Sequence, residues 1–201
     1  LLQGKEVLVQ ADIDGAKGQA FTADPVSYQG SIESLLSIDE KRPGYQALMI
    51  AVLNAAARKM GLVDHTVHCK NEEPEQCAVQ ISRTIAERHG LDCHIGIIGY
   101  QPAILEHCVK TFGADQVHIS DLDLANIGQT RYGVLVWDGM KYTEKLIETA
   151  DVLLITGSVL SNNTAEKILT LLGSKPFYFF GTTAATLVHI NGWQRLCFQS
   201  T

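Results

Sequence analysis

No stretch of this 201-residue sequence holds the ~18–20 consecutive apolar residues that a bilayer-spanning helix needs. A charged-then-apolar leader is missing as well, so the expectation is a cytoplasmic protein with no membrane partner. Basic charge is scarce: 16 Lys and Arg stand against 22 Asp and Glu, a net charge of −6 at pH 7. Without a basic stripe, sequence-independent binding of nucleic acid has no electrostatic footing. Cysteine is sparse, odd in number and scattered, at Cys69, Cys77, Cys93, Cys108 and Cys197. That excludes a disulfide framework and reads as reduced, mostly buried thiols. The chain opens on Leu1, almost directly in a strand, so a preceding segment is expected to be lost and the first element incomplete.

Several catalytic signatures are also missing. There is no G-x-x-x-x-G-K-[ST] phosphate loop, no G-x-S-x-G elbow and no H-E-x-x-H pair. A dinucleotide fingerprint fails too: Gly96 lies inside a strand, Gly99 ends it, and Pro102 follows. His107 is a helix-face residue rather than a catalytic one.

What is present is an ordinary globular composition, 46% hydrophobic and 19% charged, enough for one large domain or two small ones. The pattern changes near His89-Gly90. Before it, a strand over Lys5–Gln10 and a second over Gln19–Thr22 flank a glycine turn. Helices follow at Ser31–Ser37, Tyr45–Met60 and Glu73–Arg88, the last two closed by glycines. After it, strands at His94–Ile98, Gln116–Ser120, Asp151–Thr156 and Pro176–Phe180 alternate with helices at Pro102–Phe112, Thr143–Thr149 and Thr164–Leu172. The stretch Gly133–Trp137 is poorly patterned, a further turn of helix follows Thr183, and a last strand falls at Arg195–Phe198. Continuous apolar strands between helices imply a parallel sheet covered on both faces. The fold class is therefore α/β. A small α+β domain over residues 1–90 precedes a Rossmann-like domain over residues 91–201.

Ligands of such sheets bind beyond the carboxyl ends of the strands. Those ends carry Gly99, Tyr100, Gln101 and Pro102; then Asp121; then Thr156, Gly157 and Ser158, running on to Asn162 and Thr164; then Gly181, Thr182 and Thr183. Accessible N–H groups and hydroxyls at helix starts favour anionic groups. The same residue types also cap helices, and Asn163 with Glu166 has the spacing of a capping pair. Asp121 lies ~20 residues beyond Gly99, where an acidic residue meets a ribose hydroxyl. A separate cluster runs from His65 through His68, Cys69, Glu72, Glu73 and Glu75 to Cys77. Imidazole, thiolate and carboxylate suit a divalent transition metal, with His68 and Cys69 as its ligands. In an extended segment those two point to opposite faces, and the spacing matches no closed zinc module. The bland alternative is a buried Cys69 ahead of an acidic helix start.

The run Ile97-Ile98-Gly99-Tyr100-Gln101-Pro102, the stretch from Asp151 through Thr156-Gly157-Ser158 to Asn162-x-Thr164, and Gly181-Thr182-Thr183 together resemble the heavy-metal-chelation family of bacteria and archaea. Ala51-Val-Leu-Asn54-Ala and Thr66-Val-His68-Cys69 extend the resemblance to the first part. It implies an enolase-N-terminal-like domain joined to a Rossmann-like one, with a ligand between them. Gly99, Pro102, Asp121, Thr156 to Ser158, Asn162, Thr164 and Gly181 to Thr183 would then line a cleft facing Asn54. The expected function is binding of a small anionic or metal-bearing ligand in that cleft, in the service of metal handling. One alternative is an enzyme using S-adenosylmethionine or a nucleotide, with Asp121 on the ribose. Another is a non-catalytic oligomerisation or sensor domain. No reaction is assigned, and homo-oligomerisation stays open.

Overall fold

The computed structural model describes residues 7–38 and 42–201; Lys5 and Glu6 of the first expected strand lie outside them. Strand β1 (Val7–Ile13) turns through Asp14-Gly15, both at positive φ, into antiparallel β2 (Ala16–Thr22). Asp12 Oδ1 accepts the Gly15 N–H at 2.8 Å, which holds the turn. The short helix α1 (Ile32–Leu36) is capped by Ser31. Helix α2 (Pro43–Lys59), with Pro at its first turn, lays Ala47, Ala51 and Ala55 against the hairpin. Small residues make that approach close. A Cβ on Gly18 would stand 2.2 Å from the Ala55 nitrogen and 2.3 Å from the Ala51 oxygen.

Helix α3 (Glu73–His89) precedes the expected boundary at residue 90, yet its buried Cys77, Ala78, Ile81 and Ile85 enter the core of the second sheet beside α4 (Pro102–Phe112). That sheet comprises β3 (Ile95–Ile98), β4 (Val117–Asp121), β5 (Thr130–Arg131), β6 (Val134–Asp138), β7 (Val152–Thr156) and β8 (Phe177–Phe180). Its order is β5-β6-β4-β3-β7-β8, and every pairing is parallel except β5 with β6. Alternate residues feed two cores. Ile95, Ile97, Val117, Ile119 and Leu154 face α3 and α4. Ile98, Leu153, Ile155 and Phe179 face α5 (Gly139–Thr149), α6 (Ala165–Leu172) and α7 (Ala185–Asn191). The strand order reverses between β3 and β7, where ligands of open sheets gather. The architecture is Rossmann-like α/β. No helix among the described residues is long and apolar enough to cross a membrane.

Two expectations change. The stretch Gly133–Trp137, poorly patterned in sequence, contains β6. Val134 and Val136 are buried while Leu135 is exposed, because this strand lies towards the open edge and only half of it faces a core. Arg195–Phe198 does not form a strand beyond one bridge, Arg195 to Phe179. Instead the tail leaves the sheet, and Thr201 exchanges two backbone hydrogen bonds with Val67, at 2.7 and 3.0 Å. That pairing ties the chain end to the His65–Cys69 segment.

The seam between hairpin and helix can be tested. Gly18→Ala should cost about 1–3 kcal/mol through overpacking against helix backbone. Calorimetry would read this as a fall of roughly 3–10 °C in the unfolding midpoint. An unchanged midpoint would mean that β2 does not lie on α2.

Candidate functional site

The loops expected to form the ligand edge do meet, and they fill the space between them. Gly99, at φ +94°, donates its N–H to the Ser120 carbonyl at 2.8 Å. A Cβ there would stand 2.3 Å from Thr156 Cγ2, so the β3 and β7 loops are in contact. The Gln101 side chain caps α4 at the Ile104 N–H, and Pro102 opens that helix where a missing N–H costs nothing. Asp121 joins the β3 and β4 loops. Its Oδ1 accepts from Leu122 N (2.6 Å) and Asp123 N (2.9 Å). Its Oδ2 accepts from Tyr100 N (2.9 Å) and Asn126 Nδ2 (3.2 Å). A carboxylate offers about four lone-pair positions. All are taken, so a ribose hydroxyl finds no vacant acceptor here.

Beyond β7 and β8 the edge is sealed by the N-terminal layer. Gly157 lies against the backbone nitrogen of Ala184, where a Cβ would approach to 2.8 Å. Thr156 Oγ1 pairs with the Ser158 side chain, and Asn162 Oδ1 caps Thr164 through both its N–H and its hydroxyl. Phe21 of β2 donates its N–H to Thr183 Oγ1 at 3.0 Å and accepts from Ser161 Oγ at 2.8 Å. Asn54 is fully buried. Its Nδ2 donates to the carbonyls of Gln19 (3.0 Å), Thr182 (3.1 Å) and Thr183 (3.4 Å), and its Oδ1 accepts from Thr186 N at 3.0 Å. Thus Asn54, Ser161, Thr183 and the Thr182 carbonyl hold the two layers together. The Ser120 and Thr182 hydroxyls are buried without a partner. Grooves lie elsewhere, one along Leu8–Gln10, Pro25–Tyr28 and Leu48, another beside Gly61–Asp64.

The histidine–cysteine segment is bent rather than extended, with His65 at φ +55°. His68 donates its N–H to Gln19 Oε1, its Nδ1 contacts the Cys69 carbonyl at 2.6 Å, and its ring stands edge-on to Phe21. No three His, Cys, Asp or Glu side chains among the described residues stand close enough to hold one ion. Thiols nonetheless gather nearby. The Phe198 N–H donates to Cys77 Sγ at 3.4 Å, and Cys197 Sγ lies 3.0 Å from Ser200 Oγ.

The Cys77 thiol donates towards the Cys197 sulfur. That hydrogen bond holds Cys197 well below the ordinary thiol range, against its burial and with help from Arg195, Ser200 and the Gly181 N–H. The same bond, then burial, pushes Cys77 up. Arg195 spans the seam, donating to the carbonyls of His65 (3.0 Å), Asp64 (2.9 Å) and Gly181 (3.5 Å). Cys69 is half-buried. Burial, then the charge of Cys197, pushes its thiol up to about 11. Sequence reading singled out Cys69 but neither Cys77 as a partner nor Cys197 and Arg195, whose neighbours come from the far end of the chain. Cys93 and Cys108 belong to the apolar core, where burial pushes Cys108 up to about 12.

Residues 84–190, just over half of the chain, match the family model DUF364, described as "Putative heavy-metal chelation". No functionally curated protein matches. A DUF364-family protein of unknown function from Pyrococcus horikoshii is similar in structure, with a TM-score of 0.58 at 14% identity, covering 90% of this chain and 69% of that one. Another, from Desulfitobacterium hafniense DCB-2, gives 0.59 at 13% identity, covering 94% and 77%. At these identities the likeness carries the fold alone.

The Asp121 geometry makes its own prediction. In Asp121→Asn one acceptor oxygen becomes an amide that faces N–H donors, and stability should fall by about 1–3 kcal/mol. Adenine-containing cofactors should give no binding heat with the wild type. Unchanged stability together with measurable cofactor binding would return Asp121 to the ribose role.

Proposed function

The chain belongs to the DUF364 family, and from that premise we propose that it binds a thiophilic heavy-metal ion at the seam between its N-terminal layer and its sheet. The observation that supports this reading is the meeting of Cys77 with the tail that carries Cys197, beside Arg195, with Cys69 within electrostatic reach. Thiolates are the protein ligands that soft ions prefer. In this reading an enolase-N-terminal-like α+β unit of residues 1–90 precedes the Rossmann-like unit of residues 91–201, with α3 packed on the sheet beside the tail. A reducing cytoplasm keeps such thiols available.

The closed strand ends favour a site at this seam over one among the glycine loops. His68 stands on the adjoining segment, and an imidazole joining the thiols requires that its Nδ1 contact with the Cys69 carbonyl, or its other ring nitrogen, be turned towards them. The role in this reading is metal handling.

The test is metal retention. The reduced chain is loaded anaerobically in turn with Cu(I), Hg(II), Cd(II) and Zn(II), desalted, and analysed by plasma mass spectrometry. At least one thiophilic ion should be retained at about one equivalent per chain, with the bound fraction falling on acidification as the ligands take up protons. A variant carrying Cys69→Ser, Cys77→Ser and Cys197→Ser should retain none. Failure of the wild type to retain any of the four ions would overturn the reading.

A further inference from the structure

Of the three thiols, Cys77 is the one that touches the tail carrying Cys197. The peptide N–H that follows Cys197 donates to Cys77 Sγ at 3.4 Å, so the sulfur of α3's first turns rests on the tail itself. Cys77 and Cys197 are thus side-chain neighbours across that contact. Cys69 reaches this pair only through space, by the charge of Cys197. The donor set on offer is therefore two sulfurs. Structural zinc takes four ligands in a closed tetrahedron. No third His, Cys, Asp or Glu joins this pair among the described residues. Two soft sulfurs without a further ligand fit an ion that is content with near-linear coordination.

Charge narrows the choice. A monovalent ion between two thiolates leaves a net charge of −1, whereas a divalent ion leaves none. Arg195 stands within electrostatic range of both sulfurs, its N–H groups held by the carbonyls of Asp64, His65 and Gly181. Those neutral acceptors orient the guanidinium without cancelling its charge, and the Asp64 carboxylate is largely in solvent. A half-buried cation is best offset by an anion beside it. The anionic bis-thiolate complex of a monovalent ion supplies one; a neutral complex of a divalent ion does not.

We propose that Cys77 and Cys197 form a two-coordinate site for a monovalent d10 ion of the Cu(I) class, with Arg195 as its built-in counter-charge. The inference rests on the heavy-metal reading above and narrows it to one ligand pair and one charge class. Binding forms two metal–sulfur bonds, and any proton held on either sulfur leaves to solvent. No electron moves.

The experiment is an anaerobic titration of the reduced full chain with Cu(I) against a chromogenic Cu(I) chelator of known affinity. It should show one equivalent bound, and X-ray absorption should show a two-sulfur Cu(I) shell. Cys77→Ser and Cys197→Ser should each weaken binding by more than about 100-fold, beyond the range expected for an outer partner. Arg195→Gln should weaken it by about 10-fold, with Arg195→Lys restoring most of the loss. Cys69→Ser should leave it within about threefold. Should the serine variants not fold, alkylation mapping of the wild type gives the same answer. Cu(I) should shield Cys77 and Cys197 while Cys69 stays reactive. Loss of binding with Cys69→Ser or His68→Ala, and none with Cys77→Ser, would overturn this pairing and leave the heavy-metal reading intact. Retention of no ion at all would remove both.

Discussion

The carboxamide of Asn54, wholly buried, joins four backbone groups from two other parts of the chain. Helix α2 supplies it, β2 supplies one carbonyl, and the turn after β8 supplies the rest. An apolar residue there would leave buried carbonyls and an N–H unpaired, at about 1–3 kcal/mol each. Much else follows from this junction. It presses the hairpin onto the sheet's carboxyl edge, where Phe21 and Ser161 complete the seal. It brings the segment after α2 alongside the chain end, so that Val67 can pair with Thr201. That pairing carries Cys69 towards Cys197, and Cys197 already rests on Cys77 of α3. The thiol seam is thus a consequence of how the two layers are fastened.

The parallel sheet was legible in the sequence because its central strands are apolar throughout. Ile95–Ile98 and Val152–Ile155 are buried on both faces, and no surface requirement interrupts them. Strand β6 escaped because one of its faces is partly open, and two-residue β5 carries no pattern at all. The tail misled for a related reason. Arg195–Phe198 has the residue types of a strand but makes one bridge, and the tail then leaves the sheet to pair Thr201 with Val67.

The strand-end loops show a different kind of ambiguity. Gly-Thr and Thr-Gly pairs suit an approaching phosphate and suit an approaching backbone equally well. Here the approaching groups belong to the chain itself: Thr156 against Gly99, Ala184 against Gly157, Phe21 against Thr183. The thiol seam had no sequence signal beyond the presence of cysteines. Its members lie in a loop, a helix start and a tail, and their meeting depends on the Asn54 junction and on the pairing of Thr201 with Val67, which joins distant parts of the chain. Local spacing finds metal sites built on one element, whereas the proposed pair draws one cysteine from a helix and the other from the tail.

Where the bound ion sits is the most direct question that can be put to this account. Crystals of the reduced chain grown anaerobically with Cu(I), measured at the copper absorption edge, give its position without reference to any variant. The account predicts one anomalous-difference peak between the Sγ atoms of Cys77 and Cys197, beside Arg195. A peak instead among Gly99, Asp121 and Thr156, or at His68 and away from both sulfurs, would contradict it.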